Sequence, residues 1–127
     1  MTSAAKRWAE QARYDLDTAR AMFTSERHLY VLFCCQQAVE KALKAVIVDK
    51  SSEFPPRTHS LPRLVEATGL KMAAAHMDFL AELTSYYIQT RYPEEIESLG
   101  AGVNRDISSD TLRKSEEVVT WLLSTLK

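Results

Sequence analysis

YVLFCCQQAVEKALKAVIV, residues 30–48, reads as one long helix with two unlike flanks. With successive side chains about 100° apart, Val31, Leu32, Cys34, Cys35, Ala38, Val39, Ala42, Leu43, Ala45 and Val46 fall on one half of the wheel. That half is a core face. Gln36, Gln37, Glu40, Lys41 and Lys44 gather on the other, interrupted by Phe33 and Ile47, which predicts a helix that buries one side and offers the other to solvent or a partner. Ala38, Ala42 and Ala45 lie together, so a neighbouring helix can approach closely. The remaining sequence has to supply that neighbour.

On the N-terminal side, Trp8, Ala12, Leu16, Ala19 and Phe23 share one narrow arc and predict an amphipathic helix from about Ala4 to Thr24. The connection at Ser25–Leu29 is short, and short connections join antiparallel neighbours. Beyond Val48, DKSSEFPPRTHS (49–60) is polar and contains Pro55 and Pro56, so it forms a loop over the end of the bundle. Ser60 is a suitable N-cap for a short helix carrying Leu61, Leu64 and Val65, with Pro62 in the first turn and Gly69 as the stop. A fourth long helix is expected from about Lys71 to Thr90, with Met77, Leu80, Ala81, Leu83, Tyr87 and Ile88 inward, ending where Pro93 biases Tyr92 out of the helical region. EEIESLGAGVNRDI (94–107) holds two of the three glycines and little periodicity, and reads as a mobile loop. Ser108 or Ser109 then opens a last helix with Leu112, Val119, Leu122, Leu123 and Leu126 inward. The expected fold is all-α, an up-and-down bundle of four main helices plus a short one, in a single domain spanning residues 1–127.

Composition narrows the function classes. A chain of 127 residues fits one domain that hides roughly two thirds of its unfolded surface. The only two cysteines, Cys34 and Cys35, are adjacent, which excludes a disulfide framework and favours a reducing compartment, the cytoplasm. They read as small core hydrophobes. No apolar run approaches the roughly 20 residues of a membrane span, and the first residues do not resemble a secretion signal, so no membrane role is expected. Net charge is −1, leaving no overall basic field for nucleic acid; any such contact must be local. There is no glycine-rich phosphate loop, no nucleophile elbow and no His or Cys cluster at metal-ligand spacing, so neither metal nor cofactor is expected.

Three words carry more specific information: CQQAVEKALKA at 35–45, THSLPRL at 58–64 and YYIQTRYPEE at 86–95, preceded by Asp15, Leu16 and Ala19. In order and spacing they resemble the HEPN domain family, the nucleotide-binding domain of higher eukaryotes and prokaryotes, over nearly the whole chain. The resemblance implies a dimerising helical bundle, often encoded beside a minimal nucleotidyltransferase, whose relatives bind nucleotides, partner the transferase in toxin–antitoxin modules, or cut RNA. The RNA-cutting branch carries an arginine followed after four to six residues by a histidine. Here the corresponding positions before His28 are Phe23, Met22 and Ala21; before His59, Phe54, Glu53 and Ser52; before His76, Lys71, Leu70 and Gly69. None is arginine, which points away from a stand-alone nuclease.

Candidate ligand residues follow. Arg91 aligns with a motif of this HEPN branch. It either holds a phosphate while Tyr92 stacks on a base, or caps helix carbonyls and pairs with Glu94 or Glu95. His59 either fixes the start of the third helix or contacts a base or phosphate. Lys41 and Lys44 complete the candidate nucleotide set; Glu40 and Lys44 alone make an ordinary exposed pair. Tyr30, Phe33, Gln37 and Glu40 form a candidate interface, aromatic and rimmed by charge. The expected function is a homodimeric HEPN protein that binds a nucleotide or RNA and partners a minimal nucleotidyltransferase. The alternatives are a metal-independent ribonuclease toxin built from Arg91 and His59, and a purely structural dimer.

Overall fold

An antiparallel hairpin of two alanine-faced helices is the frame on which the rest is laid. In the computed structural model, which describes residues 1–89 and 91–127, α1 (Ser3–Thr24) and α2 (His28–Ser51) share the most extensive contact in the chain. Thr2 starts α1, its hydroxyl accepting from the Ala5 amide at 3.0 Å. Ala5, Ala9, Ala12 and Ala19 on α1 and Ala38, Ala42 and Ala45 on α2 are all without exposed surface. Methyl groups on both sides let the backbones approach closely and keep the side-chain entropy lost on burial near zero.

Around this hairpin lie α3 (Leu61–Thr68), α4 (Ala74–Thr84), α5 (Pro93–Gly100) and α6 (Arg105–Ser124), with no strand among the described residues. The all-α expectation holds. α6 lies on both α2 and α1, while α3 and α4 pack on α2 and on each other. Leu32, Leu43, Leu61, Leu64, Leu80, Leu83 and Leu122 are the largest wholly buried apolar side chains, drawn from four helices into one core. At one end, Asp49 accepts from the amides of Thr2 (3.3 Å) and Lys127 (3.0 Å), so the start of α1, the end of α2 and the segment after α6 meet. Those amides, the Lys127 bond foremost, hold its carboxyl below the usual range. No described helix is long and apolar enough to cross a membrane.

Local signals placed α3 correctly: Ser60 caps it by accepting from the Arg63 amide, and Gly69 ends it at φ +73°. Three expectations are corrected. α4 stops at Thr84, and its expected last residue, Thr90, lies outside the described residues. The amides of Ser85, Tyr86 and Tyr87 each bond three residues back (3.1, 3.0 and 3.3 Å), tightening the last turn until the helix cannot continue. Residues 94–107 are not one irregular loop, since only 101–104 lie outside helices. Pro93 opens α5, with Glu94 and Glu95 in its first turn where acidic groups suit the helix dipole. Gly100 at its end leaves room for Leu29, whose Cδ2 would lie 3.3 Å from an added Cβ. Finally α6 begins at Arg105, because the Asn104 side chain caps it by accepting from the Ile107 amide at 2.9 Å.

Enlarging the alanine seam therefore has a definite consequence. Ala42 is wholly buried in the core, so Ala42→Leu should lower stability by about 1–3 kcal/mol through overpacking, read as a lower urea midpoint with an unchanged slope. A midpoint equal to that of the native protein would show that the seam has slack.

Candidate functional site

The polar flank of α2 is covered within the same subunit. Gln36 is wholly buried, Glu40 is 4 % exposed and Lys44 is 8 % exposed, so the expectation that this flank faces outward is corrected at those three positions. The helix repeat put them opposite the alanines, but it could not reveal that His59, from the loop before α3, bonds Glu40 and Gln36 and that Trp8 of α1 lies over Lys44. Glu40 therefore presents no surface to an interface. Lys44 is likewise engaged inside, its Nζ 2.9 Å from Glu40 Oε2 and 5.5 Å from the centre of the Trp8 ring.

Glu40 is the hub of the covered flank. Its Oε1 accepts from Gln36 Nε2 at 3.0 Å and lies 2.9 Å from His59 Nδ1, while Oε2 takes the Lys44 ammonium. Gln36 Nε2 also reaches the His59 carbonyl at 3.3 Å, and Gln36 Oε1 accepts from Gln37 Nε2 at 2.7 Å. Burial alone would raise the Glu40 pKa. The donors Lys44, Gln36 and His59 together outweigh it and hold the carboxyl below its ordinary value.

His59 joins this buried carboxylate to the surface. Its side chain is 49 % exposed, and its ring stacks on Tyr87 with centroids 3.7 Å apart and planes 15° from parallel. Phe33 continues the group, 6.2 Å from Tyr87 and tilted by 41°. The Tyr87 hydroxyl bonds Gln89 Oε1. Arg91 adjoins the same residue from the backbone side: Nε donates to the Tyr87 carbonyl at 2.9 Å and Nη2 to the Ser85 carbonyl at 3.0 Å. These are carbonyls freed by the early end of α4, so Arg91 does cap, though not through an ion pair with Glu94 or Glu95. Both glutamates border the hollow beside it, together with Ser98 and Leu99. Among the described residues, two of its five N–H donors find partners.

The remaining candidates divide. Lys41 is paired to Asp15 of α1 at 2.7 Å and is mostly covered. Tyr92 and Tyr30 are exposed, and Phe33 and Gln37 are half-buried. His28 is structural, its Nδ1 2.8 Å from the buried Ser108 Oγ and its ring edge on Phe23. Cys35 and Cys34 behave as core residues, burial pushing their thiols up to about 12 and about 11. No group of three or more metal-capable side chains converges among the described residues. The residue missed is Tyr87. It fits the apolar stripe of a continued helix, and only the early end of α4 turns its ring onto His59.

A depressed Glu40 pKa means that its stabilising contribution is complete above the ordinary value of 4.5 and is lost as pH falls below that toward the folded value. Glu40→Gln should cost about 3 kcal/mol at neutral pH, because the Lys44 ammonium stays buried without its carboxylate. The variant should also lose less further stability than the native protein between about pH 5 and pH 3. Equal acid sensitivity in urea titrations of the two would remove Glu40 from that role.

The HEPN domain model matches residues 5–125. Among solved structures, the chain is similar to TT1696 from Thermus thermophilus, with a TM-score of 0.83 and 23 % identity over 98 % of this chain and 100 % of that one. It is also similar to ST0689, an archaeal HEPN homologue, with a TM-score of 0.77 and 21 % identity over 99 % and 100 %. At such identities the likeness speaks for the fold. No curated protein matches. With the HEPN domain model matching over nearly its full length, and the three sequence words in agreement, the chain belongs to the HEPN domain family.

Proposed function

We propose that this HEPN domain is a homodimeric binding module, the partner of a minimal nucleotidyltransferase, which takes a nucleotide or an RNA phosphate at the corner formed by His59, Tyr87 and Arg91. The observation that carries the reading is the stacked and half-exposed His59 ring, tied through Nδ1 to a buried carboxylate. Surface rings held at both face and edge are ordered beyond what a loop needs, and flat groups of this kind receive bases and sugars. Arg91 supplies charge-assisted donors for a phosphate beside the same tyrosine. Because Glu94 and Glu95 repel an anion, the phosphate reaches Arg91 from the Tyr87 side. Tyr30 and Phe33 give the second subunit an aromatic contact next to this corner.

A second reading has one observation in its favour: a carboxylate on Nδ1 orients an imidazole as it would a general base, which suits a ribonuclease built from His59 and Arg91. The missing arginine–histidine spacing argues for binding over cleavage.

Titration with ATP, GTP and a short single-stranded RNA separates the readings. Saturable binding without cleavage is expected, raising stability by about 2.7 kcal/mol at a ligand concentration 100 times Kd. Arg91→Ala should weaken it roughly ten-fold or more, as for loss of a charge-assisted contact. RNA cleavage abolished by His59→Ala would favour the enzyme instead. Light scattering should give twice the monomer mass, and the Tyr30→Ala/Phe33→Ala variant should return it to one. A monomer at all concentrations would remove the dimer from the proposal.

A further inference from the structure

The His59 corner has a polarity that its bonding fixes. Glu40 Oε1 and Oε2 together face three donors, Gln36 Nε2, His59 Nδ1 and Lys44 Nζ, in a buried setting. Such a carboxylate is an acceptor only. The proton of a neutral His59 ring must then sit on Nδ1, pointing inward, and Nε2 is left as a bare acceptor. The Nδ1 bond to Glu40 and the Tyr87 stack over one face together hold the ring in this orientation, while the side chain remains half-exposed. Among the described residues nothing donates to Nε2, and the nearby Tyr87 hydroxyl is taken by Gln89.

We infer that the His59 corner selects ligands carrying a ribose hydroxyl, and so binds a ribonucleotide in preference to its deoxy counterpart; this rests on the reading of the corner as a nucleotide site. An oriented acceptor at the surface is complemented by an O–H or N–H donor, and a phosphodiester has neither. In a nucleotide held at its phosphate by Arg91, the group joined directly to that phosphate is the sugar. Its hydroxyls are the donors next along the molecule. The corner thus assigns separate tasks: Arg91 attracts the charge, and His59 Nε2 reads the sugar. The 2′-hydroxyl is also the group by which a protein tells RNA from DNA.

The test compares ATP, 2′-deoxyATP and 3′-deoxyATP by calorimetric titration of the full chain. One neutral hydrogen bond corresponds to about a five-fold change in Kd. ATP should therefore bind about five-fold tighter than at least one deoxy form, and which form loses affinity identifies the hydroxyl read. His59→Phe keeps an aromatic ring to stack on Tyr87 but removes both nitrogens, so it should bring the ratio to one, with a lower melting temperature because Glu40 loses a donor. Should that variant unfold, Tyr87→Ala, which frees the ring to turn, must lower the ratio in the same direction. Equal affinities for all three nucleotides, or a preference that survives in the His59 or Tyr87 variant, would overturn the inference and leave the nucleotide site standing. No saturable binding by any of the three would overturn the site itself, and the inference with it.

Discussion

A carboxylate in the middle of a buried helix has to find donors, and at Glu40 that requirement draws four parts of the chain together. Gln36 and Lys44 come from the same helix, one turn on either side, and His59 comes from the loop before α3. Trp8 of α1 covers the Lys44 ammonium, and Tyr87 beyond α4 covers His59. An unpaired charge at this depth would cost several kcal/mol, so each contact constrains the next. The loop before α3 cannot drift without taking one of the three donors, His59, from the carboxylate.

The alanine seam makes that burial geometrically possible. Because α1 meets α2 through methyl groups, the backbones lie close, and Trp8, on the same helix as the alanines, reaches across to the polar side. α2 is consequently enclosed almost all round: Val31 through Val48 are buried except Phe33, Cys34, Gln37 and Lys41. Its polar residues are an internal network, not a displayed face. The network reaches solvent most openly through the His59 ring, whose orientation is set from inside.

That arrangement bears on the proposed function in physical terms. Helical bundles are common and carry many roles, so membership in the HEPN family fixes the architecture without naming a ligand. What distinguishes this corner is that rigid parts meet there: a stacked imidazole, a tyrosine held by its hydroxyl and its carbonyl, and a guanidinium bonded to two carbonyls that an ended helix left open. Sites assembled from side chains already fixed by their neighbours lose little entropy when a ligand arrives.

Much of this was legible residue by residue. The wheel of residues 30–48 identified the central helix and its alanines, Ser60 and Gly69 bounded α3, and the three sequence words pointed to the family. Those features are local, and short-range sterics and capping bonds decide them. Asn104 was just as local a cap, but the neighbouring Ser108 and Ser109 offered the same chemistry later in the sequence and masked it. Glutamate, glutamine and lysine at helical spacing, by contrast, look the same whether water or protein covers them. Only the tertiary structure could decide that the flank was covered, because the histidine that bonds Glu40 and the tyrosine stacked on that histidine lie 19 and 47 residues from Glu40 in the sequence. The end of α4 belongs with these. Its apolar stripe continues past Thr84, yet the carbonyls that the tightened turn releases are satisfied by a guanidinium six residues on from Ser85, and no periodicity in the chain encodes that contact.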